Sequence, residues 1–139
     1  MSYLLDTNVV SESEQKRPEA KVLRWIGEQA PTALYMSALT IGEIRKGAER
    51  LPSGAKRAHI QNWIMDVRSR FAGRILSLTE DTCSIWGTMY AGLEKRGVVR
   101  PTLDSLLEAT ALEHDLILVT RNVRNFRESS ATILNPWEE

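Results

Sequence analysis

"LILVTRN", residues Leu116–Asn122, decides how this chain folds. Four apolar residues run together without alternating, and a hydroxyl, a cation and an amide follow at once. An apolar run of that length, bounded by polar residues, fits a strand covered on both faces inside a parallel sheet. "YLLDTN", Tyr3–Asn8, has the same form near the start of the chain: a short strand, Tyr3–Leu5, ends abruptly in Asp6. Ala33–Met36 and Ile75–Leu78 read as two further strands, and Thr132–Leu134 as an edge strand before Asn135-Pro136.

Helical spacing fills the intervals. Ala20–Gln29 carries Val22, Leu23, Trp25 and Ile26, and Pro31 stops it. Thr40–Leu51 aligns Ile41, Ile44 and Ala48. "LPSGAKR" (Leu51–Arg57) breaks that helix, and Ser53 is placed to cap the next. Lys56–Phe71, with Ile60, Trp63, Ile64 and Val67, predicts a helical hairpin arm that Gly73 ends. Thr79 opens a helix that runs to about Arg96 and closes at Gly97, and Pro101-Thr102 opens another over Leu103–His114. Strands alternating with helices predict α/β architecture around a parallel sheet. Ligands of such sheets bind beyond the carboxyl ends of the strands. Asp6 and Thr120 both fall at strand ends.

A chain of 139 residues suits one domain, 1–139, with a real core. Its 18 basic and 18 acidic residues cancel, which argues against broad electrostatic capture of nucleic acid and leaves only local patches. Cys83 is the sole cysteine, so no internal disulfide forms. No apolar stretch is long enough to span a membrane, and the N-terminus lacks the pattern of a signal peptide. The expected location is the cytoplasm.

Each acid of interest has an ordinary role open to it. Asp6 can cap a following helix or form an Asx turn. "TIGE" (Thr40–Glu43) has the form of a capping box, with Glu43 reaching back to the Thr40 amide. Asp104 lies in a first helical turn, where an acid complements the helix dipole. If the three converge at one sheet edge, however, they repel one another and raise each other's pKa values. A hard divalent cation, Mg²⁺ or Mn²⁺, removes that conflict, activates water and binds a phosphate oxygen. His59 and His114 lack zinc-ligand spacing, and no GxSxG or phosphate-loop motif is present. Trp25, Trp63 and Trp86 fall on apolar helix faces and read as core or interface residues.

"LLDTNVVSE" (Leu4–Glu12), "SALTIGEIRKG" (Ser37–Gly47), "PTLDSLLEATALEHDLILVTRNVRNF" (Pro101–Phe126) and "NPW" (Asn135–Trp137) together resemble the PIN-domain family, nearest its VapC and FitB-like ribonuclease toxins. The resemblance spans essentially the whole chain. It implies a three-layer fold with a short central parallel sheet flanked by helices, and Mg²⁺- or Mn²⁺-dependent cleavage of RNA. It also implies a small DNA-binding antitoxin as cognate partner, and a homodimer that joins with the antitoxin as a dimer of heterodimers. Asp6, Glu43 and Asp104 match the metal-site acids, and Thr7, Asn8, Thr120 and Asn122 match supporting polar positions. Where relatives place a fourth acid, this chain has Asn122 and Asn125. Arg121 and Arg124, beside the site, are the expected phosphate contacts. Open alternatives are a DNA- or structure-selective nuclease of the same fold, a PIN module that binds without cutting, and, more distantly, a phosphoacceptor domain.

Overall fold

The computed structural model describes residues 1–138. Five parallel strands, β1 (Tyr3–Leu5), β2 (Leu34–Ser37), β3 (Ile75–Leu76), β4 (Ile117–Val119) and β5 (Ile133–Leu134), form one sheet in the order β3-β2-β1-β4-β5. All five predicted strands are present, within two residues of their expected ends. The chain builds outward from β1 to β3 and then crosses back to place β4 on the other side of β1. The order therefore reverses between β1 and β4, the kind of switch point at which open α/β sheets bind ligands.

The two apolar runs serve both faces of the sheet. Leu4 pairs with Leu118 and Leu5 with Val119. Because successive side chains alternate across a strand, the first pair joins Leu107, Ala111, Leu116 and Phe126 on one face. The second joins Val9, Val22 and Leu34 on the other. The helices that cover these faces are α1 (Thr7–Val10), α2 (Ala20–Glu28), α3 (Ala38–Glu49), α4 (Ala55–Arg70), α5 (Glu80–Lys95) and α6 (Thr102–Glu113). Helices α3 and α4 form the predicted hairpin, which packs through Ile44, Trp63, Ile64 and Val67 against Met36. Among the described residues, no helix is long and apolar enough to cross a membrane.

Two helix starts differ from expectation. Helix α3 begins at Ala38, where the Ser37 hydroxyl accepts from the Leu39 N–H at 3.0 Å. Thr40 is therefore inside the helix, and Glu43 is released from the capping role. Helix α4 is preceded by Gly54 at φ +151°, and Ser53 does not cap it. The end of α5 follows its prediction. Gly97 at φ +73° lets the Gly97 and Val98 N–H groups reach the Glu94 and Leu93 carbonyls, both at 2.9 Å. Val98 and Leu93 are both buried there. This closure aims the next residues, Val99–Pro101, toward the start of α6 and sends the Arg100 side chain inward.

Candidate active site

Asp6 leaves the tip of β1 and caps α1, so its helix-capping role and its place in a site coexist. Its Oδ1 accepts from the Thr7 N–H at 2.7 Å. Its Oδ2 accepts from the Thr120 hydroxyl, at the end of β4, at 2.8 Å. The Asn8 amide approaches both Asp6 Oδ2 and Thr120 Oγ1 at 3.5 Å. Thr120 also accepts from the Asn122 N–H at 3.0 Å. Only 7% of Asp6 is exposed, so an ionised carboxylate there has lost most of its water.

Glu43 comes from the second turn of α3. Its Oε1 accepts from the Thr7 hydroxyl at 2.6 Å, close to Thr40 Oγ1. Thr7 thus joins two acids: its backbone serves Asp6 and its hydroxyl serves Glu43. Asp104, in the first turn of α6, accepts from the Asn125 amide at 3.1 Å. The charges of neighbouring acids reach both Asp6 and Asp104. Burial pushes the Asp6 pKa up, with the charges of Asp104 and Glu43 adding to it, while the bonds from Thr120 and Thr7 oppose the shift. Burial likewise raises Asp104, helped by Glu43, against the Asn125 hydrogen bond and the Arg100 charge.

The donor set consists of carboxylate, hydroxyl and amide oxygens, the chemistry that Mg²⁺ and Mn²⁺ favour. Among the described residues, no three acids, histidines or cysteines close into a ready-made cage for an ion. Such a set fits an ion held by one or two carboxylates with water completing its shell, as is usual for Mg²⁺. Asp6, Glu43 and Asp104 are the residues that could supply those oxygens.

The chain's residues 3–130 match the PIN domain. The chain belongs to the PIN-domain family. This PIN domain is 35% identical to the VapC ribonuclease Y4jK of Sinorhizobium fredii, over 97% of both chains. It is 31% identical to the toxin FitB of Neisseria gonorrhoeae, over 98% of this chain and 99% of FitB. Among solved structures, FitAB bound to an IR36 DNA fragment superposes with a TM-score of 0.92 at 30% identity, covering 97% of this chain and 95% of that one.

Not every expected residue lies where the sequence suggested. Asn122 contributes its backbone N–H, but its exposed side chain is not among the hydrogen-bonding groups of the site. The amide that meets an acid is Asn125. Arg121 lies beside Asn8, to which its N–H donates at 3.3 Å, and Arg124 is exposed; among the described residues neither is in an ion pair.

Arg100 and Glu108 were not foreseen. The Arg100 side chain is wholly buried and grips Glu108 with two N–H groups, at 2.7 and 3.2 Å. Its remaining nitrogen donates to the carbonyls of Asn125 and Arg127 at 3.0 and 2.9 Å. Arg100 therefore holds the turn that presents Asn125 to Asp104. A signal was available: Glu108 interrupts the apolar run "LLEATAL", one helical turn after Asp104, and a charge inside such a face needs a partner.

Proposed function

We propose that this PIN domain is the ribonuclease toxin of a bacterial toxin–antitoxin pair and hydrolyses phosphodiester bonds in RNA with Mg²⁺ or Mn²⁺. The observation that carries the reading is the convergence of Asp6, Glu43 and Asp104 at the sheet's switch point. Asp6 and Asp104 are raised in pKa by burial and by the charges of neighbouring acids, Glu43 among them. A protein that keeps acids in that state without a cation bears a cost that an oxygen-seeking cation removes. The relatives named as ribonuclease and toxin support the choice of reaction.

Asp6, Asp104 and Glu43 would hold the ion, whose positive charge offsets that of the phosphate and favours ionisation of the attacking water. The chain's own contribution is placement. A strand end fixes Asp6, Thr120 orients its Oδ2, Thr7 couples Glu43 to it, and Asn125 restrains Asp104. Such restraint matters because misplacement of an ångström can cost about a hundredfold in rate.

The partner we propose is a small DNA-binding antitoxin. Its inhibitory segment would direct Arg or Lys at the acids. An apolar face of that segment would lie in the groove of Ala38, Leu39, Gly42, Leu78 and Leu103, which Glu43 borders. The assembly would be a homodimer of the toxin carrying two antitoxins.

The test is induced expression with sequencing of RNA ends, alongside purified protein on matched RNA and DNA strands. Asp6→Asn and Asp104→Asn should each lower RNA cleavage by at least about a hundredfold while the fold persists. Full activity in a folded Asp6→Asn protein would defeat the proposal. Asn125, an amide where the family resemblance implies an acid, favours one second reading, a module that binds RNA without cutting it. RNA binding with no cleavage in either metal would select that reading.

A further inference from the structure

We propose that a basic cleft beside the acids holds a single-stranded RNA segment flanking the bond to be cut; this rests on the ribonuclease reading above. The cleft, about 850 Å³, runs from Asn8 past the turn after α1 to the start of α4 and the C-terminal segment. Lys16, Arg17, Lys56 and Arg121 line it, and all four are exposed. Among the described residues, none of the four is in an ion pair. With a formal net charge of zero, the chain as a whole hides this concentration of cations.

Two acids share the wall, and each is hydrogen-bonded within the protein. Glu12 is buried and accepts from the Glu19 N–H at 2.8 Å. Glu14 is bonded to the His59 ring at 2.6 Å. Even counting both acids as charged, four cations face two carboxylates, so the cleft is net positive, as a polyphosphate backbone requires.

Asn8 makes the cleft continuous with the acid site. It lines the cleft, its Nδ2 approaches Asp6, and its Oδ1 accepts from the Arg121 N–H. The half-buried Trp137 supplies a support: the Arg121 guanidinium lies over its ring at 5.2 Å from the centroid. A guanidinium stacked on one side and exposed on the other offers a flat face to a base. Bases within a duplex are already stacked on their neighbours, so this arrangement selects an unpaired strand. Backbone cations plus one stacking plane are the elements of single-strand binding with little sequence preference.

The experiment uses the full chain carrying Asp6→Asn, so that RNA is bound and not cut. Its probe is a fluorescent oligouridylate of about a dozen nucleotides, read by anisotropy across a salt series. Adding Lys16→Ala and Arg17→Ala should weaken binding and flatten the log–log salt slope by about 1.4, near 0.7 for each lost phosphate contact. Arg121→Lys keeps the charge and removes the plane. It should weaken binding by about tenfold with the slope unchanged, and it spares Trp137, which packs against the core. Lys95→Ala, on α5, should change neither quantity. Cleft variants that bind with the parent's affinity and slope would overturn the proposal, as would tighter binding of a duplex of equal length. RNA cleavage that needs Asp6 but ignores the cleft variants would remove the cleft and keep the nuclease. Binding that follows the cleft variants, without cleavage by the unaltered chain, would do the reverse.

Discussion

Replacing Arg100 by Met should destabilise this protein more than most single changes, and by an amount that depends on pH. The Arg100 and Glu108 side chains are 0% and 1% exposed. Methionine fills much of the space but leaves the Glu108 carboxylate without either N–H, and it deprives two backbone carbonyls of theirs. Breaking one side of a buried ion pair costs about 3–5 kcal/mol. The stranded carboxylate can escape only by taking up a proton. For an ordinary glutamate that costs about 3.7 kcal/mol at pH 7 and about 1 kcal/mol at pH 5. The variant should therefore lose about 4 kcal/mol at pH 7 and recover more than half of it at pH 5. Arg100→Met combined with Glu108→Leu removes both charges and should come back to within about 2 kcal/mol of the parent, the rest reflecting the unpaired carbonyls. Denaturant unfolding at the two pH values, in chelator, measures all three. A loss below about 1 kcal/mol at pH 7, or the same loss at both pH values, would refute the reasoning.

The raised pKa values of Asp6 and Asp104 predict that both groups favour the folded, metal-free protein more as pH falls from neutrality through their folded pKa values toward 3.8. Accordingly, the rise in melting temperature given by millimolar Mn²⁺ should be largest at pH 7 and shrink toward pH 5; an equal rise at both would count against binding at these acids. Asn125→Asp should tighten Mn²⁺ binding in calorimetric titration and lower the melting point in chelator, because a fourth charge then faces Asp104; Asn122→Asp should leave both nearly unchanged. Thr7→Val, which removes the hydroxyl held by Glu43, should lower cleavage by about tenfold while stability falls by only about 1 kcal/mol, measured by kinetics and unfolding together.

The strands were legible because each is an apolar run closed by polar residues, whereas position alone did not single out the three acids, since Glu80 and Asp81 also open a helix; the family resemblance did. Glu43 shows where local pattern misleads. Thr40 and Glu43 have capping-box spacing, but β2 ends in the buried Ser37, which takes the cap three residues earlier. Its true partner, Thr7, is 36 positions away, and no local window contains both. Asn122 and Asn125 lie in one tight turn, and only the packing of that turn on α6 decides which amide meets Asp104. Arg100 was hidden for a related reason. A basic residue just before a proline reads as solvent-exposed, and its burial depends on the closure at Gly97 and on a glutamate in the next helix.

The bond between Thr120 and Asp6 joins residues 114 positions apart. A ribosome makes Asp6 long before Thr120, so throughout that interval the emerging polypeptide carries the acid without the hydroxyl that orients it. The Asn125 amide comes later still. A message broken before the Ile117 codon yields a fragment that lacks β4 and both of these restraints. Under the ribonuclease reading proposed above, this order of synthesis acts as a safeguard: a partial product would carry Asp6 without the hydroxyl that orients it and Asp104 without the amide that restrains it.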